Sequence, residues 1–274
     1  MSWKNILPPE IDIDALSLDD CRNFKKFHAL MDSITNDVKG PPGFRIFYQL
    51  MHYLLFYGVC CINENKFPAL NKCWNKLSPL FLTDSYDCEW LVHCWIFCDF
   101  PLNENTNDVL LDHFSAFLLE NPEIPTQISE HIKQFCSIMK TSRLGLYQEI
   151  LSTSKVTKYK ELFSNNSIST VRSVPYYESG EIFLTRIVSF LGDTFSIHNS
   201  KSFPSEFKNN IEDMVKNKLF YVSETEDVVS DYELFMKLAG PYWMSCTHED
   251  PSSPILQPDE YKYFYVTNKE KLTL

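Results

Sequence analysis

The feature that most limits the fold is the run FRIFYQLMHYLLFYGVCCI, from Phe44 to Ile62. A stretch this apolar either crosses a bilayer or lies inside a protein core, and its polar residues separate the two. Arg45, Gln49 and His52 interrupt the first half at i, i+4 and i+7, so they share one helical stripe with aromatic and aliphatic side chains around the rest. The uninterrupted remainder is about half of a membrane span. The spacing therefore predicts a central helix, buried on nearly all sides, and no membrane span.

Helical periodicity continues on either side. An amphipathic helix is expected from Leu18 to Ile34, ended by KGPPG at Lys39 to Gly43, because the paired prolines cannot extend it. Pro68 to Leu77 places Leu70, Cys73, Trp74 and Leu77 at helical spacing, and Ser85 to Phe97 does the same with Trp90, Leu91, Cys94 and Trp95. Asn107 to Leu119 follows. Thr126 is the expected N-cap of a helix reaching Lys140, with Ile128, Ile132, Phe135 and Met139 inward.

From Ser142 to Gly145 the period changes from 3.6 to 2. YQEILSTS, VTKYKELF, ISTVRSV, EIFLTRIVSF and TFSIHNS are short runs rich in β-branched and aromatic residues, and Leu191 to Asp193 (LGD) is a tight-hairpin turn. Five such strands predict a small antiparallel barrel, SH3-like or OB-like, since closing the sheet protects its edges. A helix from Pro204 to Leu219, the acidic SETEDVVSDYE, a short helix around Leu234 to Ala239 and a strand at Tyr261 to Val266 complete the chain. The fold class is α+β. A helical domain spans residues 1–140, the β-barrel module 141–203, and a mixed acidic segment 204–274 packs on the barrel.

Several of these strings resemble a known family. EWLVHCWIFCDFPL, VLLDHF, SRLGLYQEIL and SGEIFLTRIVSF are similar, in this order, to motifs of uncharacterised bacterial proteins that often end in a SecA-type zinc tail. The matching positions are Trp95, Phe97, Asp99, Ser142, Arg143, Leu144, Gly145, Tyr147, Gly180, Glu181 and Arg186, over roughly residues 85–270. The chain departs from the pattern where Cys98 separates Phe97 from Asp99, and it carries no zinc tail. The resemblance implies a helical part joined to a small β module, and no particular activity.

Charge restricts the partners. The chain has a net charge of -11, so its overall field repels nucleic acid and anionic bilayers. Only residues 140–219 carry an excess of positive charge, 11 basic against 8 acidic residues, so an anionic ligand belongs there. Nine cysteines, an odd number without a C-x-x-C pair, read as reduced thiols. The opening MSWKNILPPEIDID lacks the pattern of a secretory signal, which points to the cytoplasm.

No signature of catalysis emerges. Seven scattered glycines allow neither a phosphate-cradling G-x-x-x-x-G-K-[ST] loop nor G-x-G-x-x-G, and no serine sits in G-x-S-x-G. His93, Cys94, Cys98 and Asp99 have ligand chemistry, but they lie among Trp90, Leu91, Trp95, Ile96 and Phe97, where cysteine serves as a small apolar filler. Glu260 and Lys262 resemble part of a metal-dependent nuclease strand, yet acid-x-lysine triplets are no commoner here than chance supplies. No metal or cofactor is expected. His198 in the outgoing hairpin strand has no visible partner.

The residues assigned to binding are Arg143, Tyr147, Arg172, Tyr176, Tyr177 and Arg186, with Arg143 paired to Asp99 or Glu149 or facing a ligand. The resulting expectation is a non-enzymatic, cytoplasmic interaction or regulatory protein with a protein partner. The alternatives are single-stranded nucleic-acid binding, with Lys158, Lys160 and Lys201 added to those residues, and a metal-dependent hydrolase with an unrecognised site.

Overall fold

The computed structural model describes residues 15–35, 38–81, 89–103, 108–162, 166–171, 182–197 and 202–203, with Met236, Gly240 and Met244. The chain forms two compact units. One comprises Met1–Tyr86, Ile96–Thr141 and Ser189–Asp193, and the other Asp87–Trp95, Ser142–Val188 and Thr194–Leu274. The division departs from a boundary at residue 140 in two places, and local chemistry accounts for one in each unit.

The first unit is helical: α1 (Leu18–Arg22), α2 (Phe24–Thr35), α3 (Pro42–Asn63), α4 (Pro68–Phe81), the end of α5 (Glu89–Cys98), α6 (Leu110–Leu119) and α7 (Thr126–Thr141). Helix α3 is the apolar run, and every residue from Leu50 to Cys61 is buried. His52 is tolerated there because its Nδ1 lies 2.8 Å from the Tyr48 carbonyl oxygen of the preceding turn. Around α3, Phe27 stacks edge-on against Tyr53 and Phe56, Phe47 meets Phe135, and Tyr57 lies against Phe114 and Phe117. By length and composition α3 is the one described helix able to cross a membrane, and 72% of an 18-residue apolar stretch within it is buried in protein. Its start is capped from afar. Pro41 and Pro42 offer no side-chain acceptor, so the Gly43 N–H donates to Asp193 Oδ2 at 3.0 Å, and Phe190 packs on Phe47. This explains why residues 189–193 belong with the helices.

The single helix expected from Leu18 to Ile34 is two. Asn23, with ψ 82°, breaks it, and Asn121 Nδ2 donates to the Arg22 carbonyl that the break frees. Thr126 is the first residue of α7 and not its cap, while Ile132, Phe135 and Met139 are buried as the spacing requires.

The second unit holds the strands β1 (Leu144–Ser152), β2 (Val156–Glu161), β3 (Ser167–Val171), β4 (Ile182–Phe190), β5 (Asp193–Ile197) and β6 (Ser202–Phe203), with β4 and β5 reaching into the turn at 189–193. They form an antiparallel curled sheet, a half-barrel, in the order β3-β2-β1-β4-β5, and β6 pairs with β4. Among the described residues β3 and β5 end that order, where a closed barrel was expected. The LGD turn is present: Leu191 and Gly192 both have positive φ, 50° and 87°, as a two-residue hairpin matched to strand twist demands. The start of α5 belongs to this unit. A Cβ on Gly240 would overlap the Trp95 indole, so glycine is what lets that backbone reach the ring. The expected elements at 204–219, 234–239 and 261–266, with His198, Lys201, Glu260 and Lys262, lie outside the described residues, except Met236.

Candidate interaction face

Strand register sorts the side chains of β1, β2 and β3 onto two sides. Tyr147 pairs with Glu161 and Phe183, and Tyr159 with Glu149 and Ile168, so these share one side. That side is covered: Tyr147, Glu149, Thr157, Tyr159, Glu161, Thr170, Phe183 and Thr185 are all buried. Tyr147, Tyr159 and Phe183 form an aromatic cluster, with the Tyr159 ring edge-on to both others. Beside it Arg143 Nη1 donates to Glu161 Oε1 at 2.8 Å and to the Leu144 carbonyl oxygen at 3.1 Å. With side-chain exposures of 15% and 6%, this is a sheltered ion pair, and it ties Arg143, the residue just before β1, to the end of β2.

The opposite side divides along its length. Leu144, Leu146, Ile182, Leu184, Arg186 and Val188 are buried. Farther along β1 the same side opens to solvent, and a β-bulge determines what stands there. Up to Glu149 the β1 and β2 partners run in one register; after it Leu151 pairs with Lys158 and Ser152 with Thr157, so Ile150 is an extra residue. Had the register run on unbroken, Ile150 would stand opposite Lys158 and Leu151 would face Thr157 on the covered side. The insertion turns Leu151 outward and Ser152 inward, where Ser152 Oγ lies 3.2 Å from Thr157 Oγ1.

The open side thus carries Gln148, Lys160 and Ser167 in one row, Leu151, Lys158 and Ser169 in the next, and Val156 beside Val171 near the turn. Ile150, Leu151 and Val156 are 45%, 56% and 42% exposed, and they are the three most exposed of the five exposed large apolar residues among the described residues. Lys155 stands in the turn between the strands. No described carboxylate forms an ion pair with Lys155, Lys158 or Lys160; Glu149 and Glu161 of the same strands face the covered side. The turn itself is firm: the Thr153 hydroxyl donates to the Val156 carbonyl and accepts from the Lys155 and Val156 N–H groups. A rigid hairpin therefore presents aliphatic side chains among lysines.

The residues singled out from the sequence fall elsewhere. Arg143 shows an ion pair with Glu161, a partner not named in advance. Tyr147 is 6% exposed and Arg186 0% exposed, so neither lies on an open surface. Arg172, Tyr176 and Tyr177 are outside the described residues. Lys158 and Lys160 are on the open face. Ile150, Leu151 and Val156 were missed, although the two adjacent aliphatics in the alternating run YQEILSTS are the mark of a register slip.

The other reactive groups are sealed. His93 is buried, and the loss of hydration lowers its pKa to about 3, so it is neutral. Cys94, Cys98 and Asp99 are buried as well, and no set of three or more metal-ligating side chains converges among the described residues. In the helical unit Cys21 Sγ lies 3.4 Å from Cys60 Sγ. The hydrogen bond with Cys60, together with burial, raises the Cys21 thiol far above its ordinary range, and burial pushes Cys61 up to about 12. Such thiols are protonated and poor nucleophiles.

Set against protein-family models, curated proteins and solved structures, the chain matches none.

Proposed function

We propose that this is a non-enzymatic protein-interaction or regulatory protein, and that its half-barrel recognises a protein partner through the open face of β1, β2 and β3, as a small barrel of the SH3-like or OB-like kind does. The observation that carries this reading is the group Ile150, Leu151 and Val156, held in water on a hairpin braced by Thr153. Exposed aliphatic area is unfavourable by about 25 cal/mol per Å². A bulge that turns Leu151 toward water gives up that stabilisation, which points to a use for the side chain outside the fold.

The chemistry of the face also selects against the nucleic-acid alternative. Binding a single strand relies on bases stacking on aromatic rings, and the rings nearest this face, Tyr147 and Tyr159, point to the covered side. The decisive experiment compares affinity capture by the native chain and by Leu151→Asp, with Lys133→Glu on the helical unit as a surface control. The expected result is one stoichiometric protein retained by the native chain and the control and lost by Leu151→Asp. Equal recovery by all three proteins overturns the reading.

A further inference from the structure

We propose that the partner bound at this face is an acidic polypeptide segment with aliphatic side chains among its carboxylates, docked in extended form across the face over β2. The inference rests on the reading above and specifies its partner by chemistry.

The first argument is charge. Lys155, Lys158 and Lys160 are the ionisable groups of the open hairpin face, and no described carboxylate offsets them. They stand on a chain whose net charge is -11. An acidic partner is therefore attracted to this face and repelled by the molecule as a whole, an arrangement that favours one docking orientation.

The second argument is spacing. Lys158 and Lys160 are two residues apart on one side of one strand, which separates their backbone positions by about 6.8 Å. An extended chain repeats its own side chains at that interval, so carboxylates at alternate positions meet both lysines in register. Leu151, directly across from Lys158, gives apolar contact beside the lysine row, and Val156, paired with Val171, gives it at the end of that row. Alternating acidic and aliphatic composition satisfies both.

The third argument is what the face lacks. It has no described arginine, so no planar fork clamps a phosphate through two parallel bonds, and no described aromatic ring for a base to stack on. Lysine ammonium groups donate to single carboxylate oxygens as readily as to phosphate, and the aliphatic neighbours favour a polypeptide over a polynucleotide.

The test is fluorescence anisotropy on the full chain. The probes are a labelled peptide with glutamates at alternate positions among valine and serine, its counterpart with lysine for every glutamate, an oligouridylate of equal length, and phosphatidylserine vesicles read by co-sedimentation. The acidic peptide is expected to bind at least about ten-fold more tightly than the lysine peptide at low salt and to weaken several-fold as salt rises. Lys158→Glu with Lys160→Glu is expected to abolish that preference and to favour the lysine peptide. Circular dichroism on each variant confirms folding. Equal binding of both peptides, lost in Leu151→Asp, overturns the acidic specificity and leaves the face as an interaction site. Acidic-peptide binding that survives both the lysine reversal and Leu151→Asp overturns the inference and the reading beneath it. Tighter, lysine-dependent binding of the oligouridylate or the vesicles assigns another class of partner. Failure of every probe overturns the acidic segment alone, because the capture experiment judges the face independently.

Discussion

Leu146 and Leu151 lie on one strand and on the same side of one sheet, yet Leu146 is 0% exposed and Leu151 56% exposed. Their chemistry is identical, so their surroundings account for the difference. Leu146 pairs with Leu184 on β4, where that side of the sheet is buried. Leu151 lies beyond the bulge, opposite Lys158. Burial of a leucine is worth about 1.5–3 kcal/mol to the fold, and Leu151 forgoes about half of it. One end of the strand thus lies in the core and the other stands in solvent.

Mutations can break that contrast directly. Leu184→Ala, in the buried half, is expected to cost about 2–5 kcal/mol in chemical denaturation, through lost transfer energy and an unfilled cavity. A cost below about 1 kcal/mol places the buried half nearer the surface than described. Glu161→Gln on the covered side removes the charge opposite Arg143 and is expected to cost about 1.5–3 kcal/mol, since a charge-assisted bond to a sheltered guanidinium is lost. Arg143→Met with Glu161→Leu recovers most of this loss if the pair contributes positioning and not net stability.

Acid tests burial elsewhere in the same unit, through His93 of α5. Its folded pKa is held near 3 by burial, below the ordinary 6.5 of an exposed imidazole. Between those values the unfolded chain takes up a proton that the folded chain refuses. Stability is full above pH 6.5 and falls by about 1.4 kcal/mol per pH unit as pH drops toward 3. His93→Leu is expected to flatten this slope when unfolding midpoints are measured from pH 7 to pH 4.5. An unchanged slope assigns the acid sensitivity to other groups. The smallest expected effect lies at the open end: Leu151→Asp should change stability by about 0.5 kcal/mol or less while removing partner capture. A loss of several kcal/mol there contradicts an exposed Leu151.

Much of the architecture was legible in the chain. The apolar run at Phe44–Ile62 became α3, the change of period near Ser142 became the start of β1, and LGD became the β4–β5 turn, because each depends on local pattern. The break at Asn23 was not, since no proline or glycine marks it and its support comes from Asn121, far along the chain. The site was less visible still. Which carboxylate holds Arg143, and which way Leu151 points, depend on cross-strand register, and one inserted residue at Ile150 shifts that register. Tyr147 and Arg186 drew notice as binding chemistry yet are buried, and of the face that meets solvent only Lys158 and Lys160 were named, while its aliphatics Ile150, Leu151 and Val156 went unmarked.

The sealed thiols make the molecule its own stopwatch. Six of the seven described cysteines are buried, and Cys21 sits on a five-residue helix held by side-chain tethers from Asn63 and Glu64. An alkylating reagent in solution therefore registers moments when a helix lifts away, not steady reactivity. Among the six buried thiols, mass spectrometry of timed samples would read Cys21 first and Cys94 and Cys98 last, an order that maps how this protein comes apart without introducing a single foreign label site.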